Sequence, residues 1–251
     1  MTPGDVEILE HLAFNAWPAL RVVVQGGWIL RFADGYTKRA NSVNAVRHET
    51  GGQAGALERR IDDAAALYAR QDVPCVFRLS PLMDPGVDAA LAGRGFTRID
   101  ETIVMRAALS GAPAPGGVEI AAARSSAWSR GYMAFNGVPP ALQTVHDRML
   151  GAIVPEAGFA TAMDAAGATA AFGLGVVEAR HVGLFDIVSD PAKRRAGHGR
   201  RVVEGLMTWG RSRGATHAYL QVVATNARAI TLYDALGFTE AYRYHYRVPP
   251  A

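Results

Sequence analysis

The sequence predicts an α/β protein assembled from two stretches that share an order of elements. Three observations carry that expectation. Runs rich in β-branched and aromatic residues alternate with runs whose apolar residues recur at helical spacing. A segment of small residues and prolines, Ser110-Gly111-Ala112-Pro113-Ala114-Pro115-Gly116-Gly117, interrupts the alternation and reads as a linker. A partial internal repeat relates residues before that segment to residues after it at an offset of 142, and repeats bear on fold before any single element does. The expected organisation is an amino-terminal domain over residues 1–109, a linker over 110–117 and a second domain over 118–251.

After the linker, Val118 to Ala122 alternates as a short strand, and Trp128 to Phe135 and Pro140 to Ile153 have helical spacing. Three β-rich runs follow, Phe159 to Met163, Thr169 to Val177 and Val182 to Ser189. Asp190-Pro191 ends the third, because proline cannot donate to a central ladder. Val202, Val203, Leu206, Met207 and Gly210 then recur on one helical face up to Gly214, a residue type that commonly terminates helices. A strand from His217 to Val223, a helix from Asn226 to Leu236 and a strand from Ala241 to Val248 complete the order β-α-α-β-β-β-α-β-α-β.

The repeat is anchored by Leu91-Ala92-Gly93-Arg94-Gly95-Phe96-Thr97, which matches Ala235-Leu236-Gly237-Phe238-Thr239. Without gaps, the same offset lays the Leu57, Ile61, Ala65 and Tyr68 face over the helix that follows Gly199. It also sets Val76-Phe77-Arg78-Leu79 over Ala218-Tyr219-Leu220-Gln221, and Gly55 over Gly197. Upstream, Asp34-Gly35 between alternating runs points to a hairpin.

Composition narrows the function classes. With 49% hydrophobic and 20% charged residues the chain can bury a core and is not of the disordered class. No apolar run approaches the ~18–20 residues of a membrane span, and the amino terminus lacks a basic region followed by an apolar stretch. A cytoplasmic protein without membrane association is expected. The single cysteine, Cys75, lies in the apolar stretch Val73 to Leu79 and reads as a buried small hydrophobe. Seven histidines include no pair three or four apart, so metal-free chemistry is expected. The net charge of +3 is concentrated, since five of the nine residues from Lys193 to Arg201 are Lys or Arg. Basic residues confined to one turn suit an anionic ligand and argue against nucleic acid.

That turn, Arg194-Arg195-Ala196-Gly197-His198-Gly199-Arg200, lies between a strand and a helix. The first N–H groups of a helix lack internal acceptors, and the helix dipole adds partial positive charge there. Glycines at 197 and 199 would let diphosphate oxygens approach the main chain, with arginines adding charge-assisted bonds. Taken alone, the turn reads equally well as a solvated helix start. Its spacing is neither Gly-x-Gly-x-x-Gly nor Gly-x-x-x-x-Gly-Lys-Ser/Thr, which disfavours dinucleotide binding and nucleoside-triphosphate hydrolysis.

The next segment discriminates. Arg-x-x-Gly-x-Gly at 194–199, followed after one more strand by Asn226-x-x-Ala-x-x-Leu-Tyr-x-x-Leu-Gly-Phe238, resembles the paired signature of the GNAT superfamily of acetyltransferases. The resemblance covers Val118 to Val248 and is closest to the ribosomal-protein N-terminal acetyltransferases. It implies a GNAT fold, a mixed and mostly antiparallel central sheet with a splayed acetyl-CoA site. With the repeat, it implies two GNAT-like halves in tandem. It implies an acetyl-CoA-dependent N-acetyltransferase in which a primary amine, of a small molecule or a peptide, attacks the thioester directly. Main-chain groups of Ile187, Val188 and Ser189 would bond the pantetheine arm, and Arg194, Arg195, Ala196, Gly197, His198, Gly199 and Arg200 would wrap the pyrophosphate. Asn226 would bond pantetheine or order the next helix, and Tyr233, beside the sulfur, would be the general acid, its alternative role being core packing.

The general base is where the chain departs from that pattern. The ribosomal-protein enzymes have a glutamate five positions before the motif Asn, where this chain has Gln221, and another GNAT branch has a glutamate where this chain has Gly183. Asp186, Glu178, His181, His245 or a water relay remain as candidates. The same absence motivates a second reading, a catalytically weak or inactive acetyl-CoA sensor or partner-binding module. In the amino-terminal half the offset places Gly52, Gly55, Leu57, Asp84 and Leu91 under Arg194, Gly197, Gly199, Asn226 and Tyr233, so a silent copy of the site is expected there. Arg39, Asn41 and Ser42, in a segment similar to one found in bacterial tandem GNAT proteins, either reach the acceptor or hold the hairpin. Tyr242, Tyr244 and Tyr246 share one face of the last strand, as groove lining or as core.

Overall fold

The computed structural model describes residues 2–48, 54–110 and 116–250. Positions 111–115 of the expected linker and Gly52 of the expected silent site lie outside them.

The carboxy-terminal elements follow the hydrophobic pattern closely. Strand β6 (Val118–Ala121) is followed by helices α4 (Ser126–Asn136) and α5 (Gln143–Gly151), then by strands β7 (Glu156–Met163), β8 (Thr169–Glu178) and β9 (His181–Ser189). Helix α6 (His198–Ser212), β10 (His217–Val223), α7 (Ala227–Asp234) and β11 (Thr239–Val248) complete this half. Ser125 caps α4 by accepting from Trp128 N at 3.0 Å, and Gly137 ends it in the left-handed region. Such caps satisfy helix-terminal groups that have no internal partner.

The amino-terminal half contains α1 (Pro3–Ala16), β1 (Arg21–Gln25), β2 (Trp28–Phe32), β3 (Val43–Ala45), α2 (Ala54–Ala69), β4 (Phe77–Leu79), α3 (Pro85–Gly93) and β5 (Thr97–Ala108). The tight hairpin joins β1 to β2 at Gly26-Gly27, both at positive φ. Asp34-Gly35 sits instead in the long connection between the antiparallel strands β2 and β3. There the turn is held by Asn41, whose Oδ1 accepts from Ala33 N at 2.7 Å and Gly35 N at 3.1 Å. The 142-residue offset recurs in the element starts: α3 begins at Pro85 and α7 at Ala227, β5 at Thr97 and β11 at Thr239.

Among the described residues eleven strands form one mixed sheet in the order β1-β2-β3-β4-β11-β5-β10-β9-β8-β7-β6. The last strand of each sequence half is exchanged: β5 lies between β11 and β10, and β11 lies between β4 and β5. Two pairs are parallel, β3 with β4 and β9 with β10. Side chains alternate into two apolar clusters. Along β9, Val182 and Leu184 join α6 residues Val202, Val203 and Leu206, whereas Phe185 joins Trp128 and Tyr132 of α4 and Val145 and Met149 of α5. Each such fully buried aliphatic side chain contributes about 1.5–3 kcal/mol. No helix among the described residues is long and apolar enough to cross a membrane. Cys75 is buried, which pushes its thiol pKa up to about 12.

Candidate active site

The site begins where β9 and β10 part. Their parallel pairing runs from His181 opposite His217 to Leu184 opposite Leu220 and then stops. Beyond that point β9 stays paired to β8 through a bulge: the register shifts between Phe185 and Val188, and Asp186 adopts φ +52°. A bulge re-aims side chains and bends its strand, and here it widens the gap between β9 and β10. A cleft of about 490 Å³ occupies that gap. Ile187, Asn226 and Tyr233 line it, as does Gln221. Three of the non-glycine residues at positive φ, Thr37, Asp100 and Asp186, are also in its wall, a clustering of backbone strain that marks functional sites.

The basic turn stands at the carboxy-terminal end of β9. Ser189 is the last residue of the strand, and a Cβ on Gly199 would come within 3.1 Å of its Oγ. Helix α6 begins at His198 with no side-chain cap, after Arg195 at φ +69° and Gly197 at φ +78°. Gly197 suits this backbone because an L side chain strains in the left-handed region. The first intrahelical bond is Arg201 N to Gly197 O, so the N–H groups of His198, Gly199 and Arg200 remain for an external acceptor. Arg194 and Arg195 are exposed and have no carboxylate partner among the described residues. Arg200 is held by Glu204 at 2.9 Å, and Lys193 by Asp164 at 2.7 Å. His198 is buried, its Nδ1 accepting from Arg201 at 2.6 Å, and Ala196 is exposed between the two left-handed residues. Ile187, Val188 and Ser189 follow the bulge and are half-buried. These residues form a strip from the cleft to the α6 terminus. The chemistry of uncapped N–H groups, glycines and free arginines fits a diphosphate.

Asn226 caps α7, its Oδ1 accepting from Ala229 N at 3.2 Å. Tyr233, about two turns further, is buried against Phe238 with ring centroids 5.9 Å apart. Desolvation pushes its phenol up to about 12, so it stays protonated at neutral pH. Helix α3 repeats the cap at the offset position: Asp84 Oδ1 accepts from Gly86 N at 2.7 Å. Leu91, opposite Tyr233 in the repeat, is fully buried core.

The structure separates the candidate bases. Gln221 accepts from the Tyr244 hydroxyl at 2.8 Å. Gly183 has no room for a side chain, since a Cβ there would lie 2.5 Å from Tyr219 Oη and 2.6 Å from the Phe185 ring. Glu178 accepts from Asn15, His181 stacks on His217 and His245 bonds Asp88; none of the three lines the cleft. Asp186 does. Its carboxylate accepts from His146 Nε2 at 3.1 Å and is bonded by the Tyr132 phenol. His146 is fully buried and sandwiched by aromatic rings, Tyr132 stacking on it at 4.9 Å and Trp17 tilting against it at 5.9 Å. His146, Tyr132 and Tyr36 carry no spacing signal in the sequence and are recognisable only once α4, α5 and the β2–β3 connection converge on the bulge.

The amino-terminal half supplies the facing wall. Asn41 and Ser42 are buried and structural: Asn41 fixes the turn that presents Tyr36 and Thr37, and Ser42 Oγ accepts from Asn44 at 3.2 Å. Arg39 lines the cleft, together with Tyr244 and Tyr246, while Tyr242 turns away to bond Glu10. Among the described residues no group of three or more metal-ligating side chains gathers.

Known proteins of the same kind share this architecture. A family described as the carboxy-terminal region of the probable histone acetyltransferase Rv0428c matches residues 4–247. An uncharacterized N-acetyltransferase, YobR of Bacillus subtilis, is 28% identical over 250 residues, covering 97% of this chain and 98% of its own. The ribosomal protein bS18-alanine N-acetyltransferase of Escherichia coli is 43% identical over 75 residues, 30% of this chain and 51% of that one. Among solved structures, a GCN5-related N-acetyltransferase from Kribbella flavida superposes with a TM-score of 0.74 at 15% identity, over 98% of this chain and 95% of that one. The chain belongs to the Rv0428c carboxy-terminal acetyltransferase family and is an N-acetyltransferase of the GNAT type.

Proposed function

We propose that the protein transfers an acetyl group from acetyl-CoA to a primary amine by direct attack, with one working site and a silent counterpart in the amino-terminal half. The observation that carries this reading is the parting of β9 from β10 at a bulge, with the uncapped α6 terminus at the end of the same strand. Main-chain groups of Ile187, Val188 and Ser189 would hold the pantetheine arm. The α6 N–H groups, with Arg194 and Arg195, would hold the pyrophosphate.

Asp186 takes the proton of the incoming ammonium, its charge supported by His146 and Tyr132. The amine nitrogen then bonds to the thioester carbonyl carbon, and the Val188 amide donates to the oxyanion. As the C–S bond breaks, Tyr233 gives its proton to the departing sulfur, and the nitrogen's second proton restores the phenol. Raising the Tyr233 pKa makes it a weaker acid but keeps it loaded. The exchange of β5 and β11 would make the amino-terminal half part of the acceptor wall, a task for a half without phosphate-binding residues. Support for an amine on a peptide comes from the bS18-alanine relative; a cleft of about 490 Å³ also has room for a small-molecule amine.

The test is acetyl-CoA-dependent thiol release over a panel of amines, with melting in excess acetyl-CoA as the binding control. Ligand binding to the folded state raises the melting temperature by mass action. Absence of any shift would overturn the reading.

A further inference from the structure

Arg39 stands out among the buried or half-buried arginines of the amino-terminal half. Arg78 pairs with Glu10, and Arg31 donates to three main-chain carbonyls, of Arg39, Phe14 and Trp17. The Arg39 guanidinium, in the cleft wall, has no carboxylate partner among the described residues. Its side-chain partner is the Tyr244 phenol, and its Nε has none. Lys38 beside it is already neutralised by Asp100 at 2.8 Å. On the other side of Tyr244, the Gln221 Nε2 is a second buried donor without an acceptor. The Tyr244 and Tyr246 phenols favour the charged guanidinium, but buried donors without acceptors remain costly unless a partner arrives. Both donors belong to residues that line one cleft, and the group that would satisfy both, once the two side chains turn toward it, is an acceptor-only anion.

We infer that Arg39 and Gln221, bridged by Tyr244, bind a carboxylate of the amine acceptor. The inference rests on the acetyl-transfer reading and names its substrate class: an amine that carries a carboxylate. The cleft is bipolar in the matching sense. Asp186 at the β9 bulge faces the amine end, and Arg39 on the amino-terminal wall faces the acid end. Gln221 offers a donor and no charge that would repel this substrate.

The experiment compares kcat/KM for matched acceptors: free amino acids of increasing chain length against their carboxamides, and a short peptide with a free carboxylate against its amidated form. The expected result is a preference of about tenfold or more for the acid, the range of a charge-assisted hydrogen bond. The arm that shows it, free amino acid or peptide, identifies the source of the carboxylate. Arg39→Met should bring the ratio close to one. Gln221→Glu should turn the preference toward the carboxamide, and it keeps the inference falsifiable if the Arg39 variant fails to fold. Equal use of acid and carboxamide, no turnover of any acid, or a preference that survives both substitutions overturns the inference. Failure of acetyl-CoA to raise the melting temperature instead overturns the acetyl-transfer reading, and this inference with it.

Discussion

The Asp186 carboxylate and the His146 Nε2, forty positions apart in the chain, meet at 3.1 Å beside the splay of β9 and β10. The bulge turns Asp186 toward α5, and stacking by Tyr132 restrains the plane of the His146 ring. A carboxylate fixed this way lines the same cleft as Gln221, which itself cannot take a proton. Asp186→Asn keeps the shape and removes the base, so kcat should fall by about 10²–10⁴, the usual contribution of general base catalysis. The acetyl-CoA-induced rise in melting temperature should remain. Steady-state kinetics with both substrates varied check this; a variant with near-native kcat would return the base role to bulk solvent.

Tyr233→Phe should lower thiol release by about 10²-fold while leaving acetyl-CoA affinity close to native. Equal affinity with no change in turnover would return Tyr233 to its alternative role, core packing. The native enzyme gives a second check through pH. Burial raises the Tyr233 pKa to about 12, above the value of about 10 for an exposed phenol. The folded state therefore holds this proton longer than the unfolded chain, and the associated stability is fully present below about pH 10 and lost as pH rises toward 12. Activity should show no alkaline limb from this phenol below that window. Ultraviolet titration of native and Tyr233→Phe proteins would locate the missing ionisation; a transition near pH 10 would contradict the burial argument.

The α6 terminus should govern acetyl-CoA KM. Replacing both Arg194 and Arg195 by alanine removes two unpaired cations, and the KM for acetyl-CoA should rise by about tenfold or more with a weaker dependence on salt. Gly197→Val forces a β-branched residue to φ +78°, a strain of at least about 1–2 kcal/mol, and should disturb the same parameter. Initial rates at two ionic strengths separate the two effects, since only the charge deletion changes the salt slope.

The sequence carried local information well and long-range information poorly. Elements in the carboxy-terminal half were legible because apolar spacing and caps act within a few residues, as at Asn226 before α7. Helix α1 is equally marked, with Thr2 and Asp5 forming a reciprocal capping box on either side of Pro3, but it lies outside the 142-residue repeat. Asp34-Gly35 carries the stronger hairpin signal, yet Gly26-Gly27 makes the tight turn, and Asn41 gives Asp34-Gly35 a different task. The exchange of β5 and β11 had no local signature, because which half a strand pairs with depends on contacts more than a hundred residues apart. For the same reason His146, Tyr132 and Arg39 joined the site only in three dimensions.

The exchange also implies a mechanical link between the amino-terminal helix and the cleft. Glu10 of α1 pairs with Arg78 of β4, both essentially buried, and accepts from the Tyr242 hydroxyl of β11. Arg78 in turn lies 3.6 Å from the Tyr244 ring, which lines the cleft. Glu10→Ala would leave the Arg78 cation and the Tyr242 hydroxyl without their acceptor, and breaking such a buried pair costs about 3–5 kcal/mol. The paired replacement Glu10→Leu with Arg78→Met should be less destabilising than Glu10→Ala alone, since two apolar groups of similar volume need no partner. Denaturant unfolding of the three proteins measures the difference. If the double variant recovers stability but shows a raised acceptor KM, the Arg78–Tyr244 contact positions the acceptor wall; if stability and KM recover together, Arg78 serves the fold alone.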